Sequence, residues 1–255
     1  MSEEKVIQHA GKAIHAIADK EKTWWERIKE FLLEIFIIVI AVSITLWFHN
    51  WNDHIHERKI EKEFLIGTME DLKTTADNLD TDIVHYQHTI NYYDTIYAQI
   101  NGNRIDKKFM DDNSGNLTNM LGFEFDNSRF ESFKSSGYLR LIENQKLLQD
   151  ITKLYGVTLP DREASDLIVF TERRNQYVQY IGSKAPTGPQ GNSLISGFIN
   201  DPGVHFEIIW QRNMVHEIKD QKLKLVPEIR EVIAEIQKEL KNNFNYDSND
   251  NKKQK

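Results

Sequence analysis

The apolar positions along the chain change pattern twice. From Phe31 to Phe48 (FLLEIFIIVIAVSITLWF) they run on every side, with one charge, Glu34. From Leu65 they alternate strictly by four and three: Leu65, Met69, Leu72, Ala76, Leu79, Ile83, Tyr86, Ile90, Tyr93, Tyr97 and Ile100. Beyond Ser128 come shorter amphipathic stretches separated by glycine- and asparagine-rich breaks. The first pattern predicts a transmembrane helix, because eighteen residues at about 1.5 Å rise cover ~27 Å and a segment apolar all round leaves no face for water. Trp24 and Trp25 on one side, with Trp47 and Trp51 on the other, sit where aromatic side chains meet the two headgroup layers. A core helix would need neighbours over its whole circumference. Glu34, one turn inside the start, reads as a boundary carboxylate that snorkels to water; the functional alternative is that it meets a polar group on a partner helix.

The second pattern predicts a long helix, roughly 54 Å over five heptads, packed along its whole length. No proline lies between Phe31 and Ile100, so the helix is expected to continue out of the membrane like a stalk, with Gly67 its weak point. The packing seam, marked by Leu65, Leu72, Leu79, Ile83, Ile90 and Tyr97, requires a partner. Either other helices of the same chain or the same helix of a second subunit would serve. The first is favoured, since later segments carry matching apolar faces.

Asn101 to Asn127 reads as a loop whose apolar Leu117, Met120, Leu121, Phe123 and Phe125 fold back onto the helices. Ser128 and Glu131 form a capping box pattern at the start of a helix. Ser135-Ser136-Gly137 interrupts that helix, and Leu141 to Tyr155 continues it to a stop at Gly156. A further helix follows Pro160 through Leu167, Phe170, Arg174, Tyr177, Val178 and Ile181. Gly182 to Gly203 holds five of the twelve glycines and three of the five prolines and reads as a mobile loop. A last helix, Val204 to Leu240, points Ile218, Leu225, Ile229, Val232, Ile236 and Leu240 inward and carries Pro227 as a kink. The expected fold is all-α: a single N-terminal transmembrane helix, then an antiparallel helical bundle of about four helices with a long stalk-like first helix. The parts are 1–30, a short amphipathic cytoplasmic segment with Val6, Ala10, Ile14 and Ile17 at helical spacing; 31–51, the span; 52–240, the bundle; and 241–255, a disordered polar tail.

Charge then orients this picture. Lys12, Lys20, Lys22, Arg27 and Lys29 precede the span, against Arg58, Lys59 and Lys62 after it, which favours a cytoplasmic N-terminus and an extracytoplasmic bundle. Thirty residues on the cytoplasmic side leave no room for a signalling domain. The bulky exit Trp47-Phe48-His49-Asn50-Trp51 is no signal-peptide cleavage site, so the anchor is expected to stay. From His49 onward there are 26 basic and 32 acidic residues, which lacks the positive footprint of a nucleic-acid binder. Cysteine is absent, so disulfides, thiolate nucleophiles and cysteine-ligated metals are excluded.

Leu32-Leu33-Glu34-Ile35, the Ile/Val run after it and Asn50-Trp51-Asn52 resemble an uncharacterised family of bacterial single-span proteins with a Leu-Leu-Glu-Ile start to the span and an Asn-Trp-Asn exit. Phe133 to Ile142 (FKSSGYLRLI) is similar to that family's internal Ser-Gly helix break. The resemblance covers residues 30–240. It implies an inner-membrane protein of the Gram-negative envelope with a periplasmic bundle, and it carries no activity.

Candidate chemistry is sparse. His49, Asp53 and His56, at i, i+4 and i+7, are the tightest group of metal-ligand types, although an interfacial helix face explains them as well. Asp82, His85 and His88 are a second such patch. Arg173-Arg174 reads as a helix surface rather than an anion site. No Walker A, G-x-G-x-x-G or G-x-S-x-G motif occurs. No cofactor and no enzymatic activity are expected. The leading expectation is an envelope protein whose bundle binds a protein partner or self-associates; the alternative is a sensor binding a small ligand between its helices.

Overall fold

The computed structural model describes residues 24–117, 122–168, 172 and 175–246. Among them all regular structure is helical, apart from one isolated antiparallel bridge between Thr187 and Ser193. The expected segment 1–30 lies largely outside the described residues, as do Met120, Leu121, Phe170, Arg173 and Arg174. In chain order the α-helices are α1 (Trp24–Asn101), α2 (Lys107–Asp112), α3 (Ser128–Ser135), α4 (Gln145–Lys153), α5 (Leu159–Ile168), α6 (Asn175–Lys184) and α7 (Pro202–Phe244). The chain divides into two compact units, Met1–Arg58 and Lys59–Lys255.

In the first unit the helix is long and apolar enough to cross a membrane, and none of its apolar window is buried. Within that window the Thr45 hydroxyl is satisfied locally, Oγ1 donating to the Ala41 carbonyl at 2.8 Å. Trp24 packs edge-on against Trp25, and Trp47 stacks on Trp51 with ring centroids 6.0 Å apart. All four tryptophans are exposed.

In the second unit the four-three row of α1 turns inward. Leu65, Leu72, Leu79 and Ile90 are buried, and Ile83 and Tyr97 half-buried. Opposite it runs α7, whose own row reads Val204, Ile208, Gln211, Val215, Ile218, Lys222, Leu225, Ile229, Val232, Ile236 and Leu240, every member buried. Rising numbers on α1 meet falling numbers on α7: Asp80 pairs with Arg230, Asp82 with Lys222, Gln87 with Lys219 and Asp94 with Arg212. The two helices are therefore antiparallel. They enclose two apolar cores. One joins Phe64 to Leu79 with Phe130, Phe133, Ile142 to Leu159 and Leu225 to Leu240. The other joins Tyr86 to Ile96 with Met110, Tyr177, Ile181, Ile195 and Val204 to Ile218.

The connections hold more structure than their composition predicts. Between Asn101 and Asn127, Asp106 caps α2 by accepting the Phe109 N–H at 3.0 Å, and a 3₁₀ turn follows at Ser114–Leu117. Buried Tyr92 and Tyr93 donate to the carbonyls of Met110 and Leu117, tying this segment to α1. The glycine-proline stretch before α7 is likewise pinned, because Asp111 accepts from both the Ser196 N–H (3.0 Å) and the Ser196 hydroxyl (2.8 Å). Asp201 then caps α7 by accepting the Gly203 and Val204 N–H groups. With the Lys184 ammonium hydrogen-bonded to it as well, its carboxyl is lowered to about 2.

Three local expectations are corrected. The capping box does not form: Asp126 Oδ1 accepts the Ser128 N–H at 2.8 Å, and Glu131 instead pairs with Lys134 one turn on. Gly156 does not end a helix. It lies in a π turn, Leu154–Thr158, that leads straight into α5. Pro227 lies inside α7, as expected, and on its exposed side. The polar tail begins later than residue 241, since α7 continues to Phe244 and both Phe244 and Tyr246 pack on the first core.

Candidate functional site

A groove of about 530 Å³ opens in the second unit between the start of its α1 segment and α3. One wall carries Ile60, Glu63 and Phe64. The other carries Ser128, Arg129, Ser132, Phe133 and Ser136, and Tyr138 closes one end. Each wall repeats by four residues along a helix, so each presents one continuous face.

The floor is aromatic. Phe64 and Phe133 stack with centroids 3.8 Å apart, and Tyr138 meets Phe133 edge-on at 5.8 Å. What places Tyr138 there is the Ser-Gly break: Ser135 and Ser136 both donate their hydroxyls to the Ser132 carbonyl, and Gly137 turns the chain at φ +72°. A side chain is strained at that φ, and glycine is not. Tyr138 remains 39% exposed.

Gly67, the expected weak point of α1, is buried for a specific reason. A Cβ there would stand 2.2 Å from Arg129 Cζ, so its absence is what lets the guanidinium lie across α1 and donate from Nε to Asp71 at 2.7 Å. That bond is the main reason the Arg129 proton is held more tightly than usual. The expected effect of Gly67→Ala is small, because a gain of about 1 kcal/mol in helix propensity opposes the loss of an ion pair of about 0.2–1 kcal/mol. The melting temperature should move by less than about 4 °C. A fall beyond about 10 °C would mean that Arg129 holds the domain together rather than shaping its surface.

A second polar centre lies between the two cores. Lys222 is 3% exposed and faces Asp82 at 3.1 Å and Asp166 at 3.6 Å, with its ammonium near the rings of Tyr86 and Phe123. Asp166 also accepts the Phe123 N–H at 3.1 Å. Burial raises the Asp166 carboxyl, and the Lys222 charge opposes that rise. These groups hold one another, as a charged layer joining helices does.

The ligand-type residues singled out in the sequence are scattered. His49 Nε2 lies 3.4 Å from Asp53, both exposed, and His56 is exposed without joining them. Among the described residues no group of three His, Asp or Glu side chains is placed to hold a metal ion. Asp82 is committed to Lys222, and His88 is exposed. Neither the groove nor the Lys222 layer was named from the sequence. Lys222 had a visible signal, an inward position in the α7 row; the groove had none, because its walls come from segments more than sixty residues apart. In comparison with known proteins, the chain matches no family model, no curated protein and no solved structure.

Proposed function

We propose that this chain is a single-span inner-membrane protein, N-terminus cytoplasmic, whose periplasmic part is an antiparallel helical bundle of about four helices that acts by binding protein rather than by catalysis. The observation that carries the binding reading is the groove. The four-three seam of α1, the other surface able to join subunits, is already filled by the chain's own helices, so recognition falls to a face that is still open. The tryptophan-flanked apolar helix supports the anchor. The resemblance to bacterial single-span envelope proteins agrees with the location.

Crosslinking and affinity purification of the full chain from native membranes tests this reading. Ser132→Trp fills the groove from an exposed position and should abolish capture of the companion while leaving the melting temperature unchanged; Ser183→Trp, on α6, should not. Equal capture by both variants would remove the groove from the account. The second reading, a small-ligand sensor, draws on the groove's size, which falls in the range of roughly 300–1,000 Å³ usual for ligand sites. Under that reading Ser132→Trp would change no protein contact.

A further inference from the structure

We propose that α5 is an ionic strap: its second half is fastened to the domain by the Asp166 carboxylate, and it undocks while α1 and α7 stay packed on each other. The burial pattern carries this. In α5 the buried residues are Leu159, at its start, and Asp166, two residues before its end. A helix ordinarily docks through an apolar stripe at i, i+3, i+4 and i+7. On α5 that stripe reads Leu159, Arg162, Glu163 and Asp166, so it is apolar only at its first position. Leu159 belongs to the first core and serves as the pivot. Beyond Asp166 the apolar Leu167 and Ile168 are 63% and 61% exposed and bury nothing against the domain.

What receives Asp166 comes from other elements. Its Oδ2 accepts the Phe123 N–H at 3.1 Å and lies 3.6 Å from the Lys222 ammonium of α7. Lys222 also donates to Asp82 of α1 at 3.1 Å, so it keeps an anion, and α1 and α7 stay bridged, when Asp166 leaves. Opening the strap exchanges polar contacts for water and exposes little apolar area. That is the condition under which one segment opens at lower cost than the whole domain. Once undocked, a helix of ten residues is marginal in water, so its amides exchange whenever it opens. The strap then acts as a gate over Lys222, the buried cation between the two cores.

Segment-resolved hydrogen exchange of the full chain in detergent tests this. In the parent, amides of 161–168 should exchange at least about tenfold faster than those of 65–79 and 225–240. Their rate should also be insensitive to urea below the unfolding transition, because a local opening exposes little surface. Asp166→Ala removes both the ion pair and the bond from Phe123 and should speed exchange in 161–168 by roughly ten- to hundredfold, with the other two segments unchanged. Asp166→Asn, whose side-chain carbonyl still accepts the Phe123 N–H, should fall between the parent and Asp166→Ala. Asp161→Asn, at an exposed position on the same helix, should stay within about threefold of the parent. The proposal is overturned if 161–168 exchanges at the rate of the other two segments in the parent, or if its rate is indifferent to Asp166→Ala and Asp166→Asn. Acceleration of all three segments alike in both Asp166 variants would overturn it as well, since α5 would then open only with the whole domain.

Discussion

Leu79→Asp is expected to unfold the helical domain, or to lower its melting temperature sharply, while Thr81→Asp is expected to be mild. Leu79 is 1% exposed and packs in the first core between α1 and α7. A carboxylate in its place loses the apolar contact and puts a charge into that core. Such a charge costs several kcal/mol unless the structure opens or the group protonates. Domain stability is typically about 5–15 kcal/mol, so one such change consumes most of it. Thr81, two residues away, is exposed and donates its hydroxyl to the Asp77 carbonyl. Substitution there removes one back-bond to the helix and little else. Thermal melts of both variants as full chain in detergent provide the comparison. Similar melting of the two would show that the α1 seam is not what closes the domain. A folded monomeric Leu79→Asp from a dimeric parent would transfer the seam to a subunit interface.

Lys222→Ala is expected to be nearly as damaging, for the opposite electrostatic reason. It deletes the cation that faces Asp82 and Asp166 and leaves their carboxylates without it in a layer where Asp166 is 6% exposed. Removing one partner of a buried pair costs about 3–5 kcal/mol, mostly from the charge left behind. The pH dependence identifies this cause. Burial already raises the Asp166 carboxyl above the ordinary aspartate range, and Lys222 is the largest influence holding it down. In the variant the folded-state value rises further. A carboxyl raised on folding binds its proton more tightly when folded, so its contribution is full below the unfolded value and is lost as pH rises through the folded one. The deficit of Lys222→Ala relative to the parent should therefore shrink as pH falls from neutrality toward the unfolded carboxyl range. A deficit independent of pH would assign the loss to packing of the lysine stem instead.

How much of this was legible depended on whether a feature lived on one helix or between several. The four-three rows of α1 and α7 belong to single helices, and periodicity alone marks them. The α7 row even displays its irregularities, since Gln211 and Lys222 stand at positions otherwise apolar. That Lys222 would be met by Asp82 and Asp166 was not legible, because those residues come from α1 and α5 and no spacing relates them. Gly67 shows the same limit. Propensity marks it as a helix-weakening residue, whereas its use is to admit the Arg129 side chain from α3, sixty-two residues further along the chain. Turn chemistry misled where two local patterns competed: Ser128–Glu131 has the form of a capping box, yet Asp126 reaches the Ser128 N–H first. At Gly156 a glycine followed by a proline four residues later reads as a stop, and a π turn carries the helix through both.

The proposed topology has Phe31–Phe48 carrying the chain through the bilayer, with the helical domain on the far side. A phosphatase that is active only in the periplasm, fused after Lys255 beyond the packed Phe244 and Tyr246, measures this directly. High phosphatase activity is expected, with the fusion retained in the membrane fraction after alkaline extraction. An inactive phosphatase, together with an active cytoplasmic reporter at the same position, would contradict it.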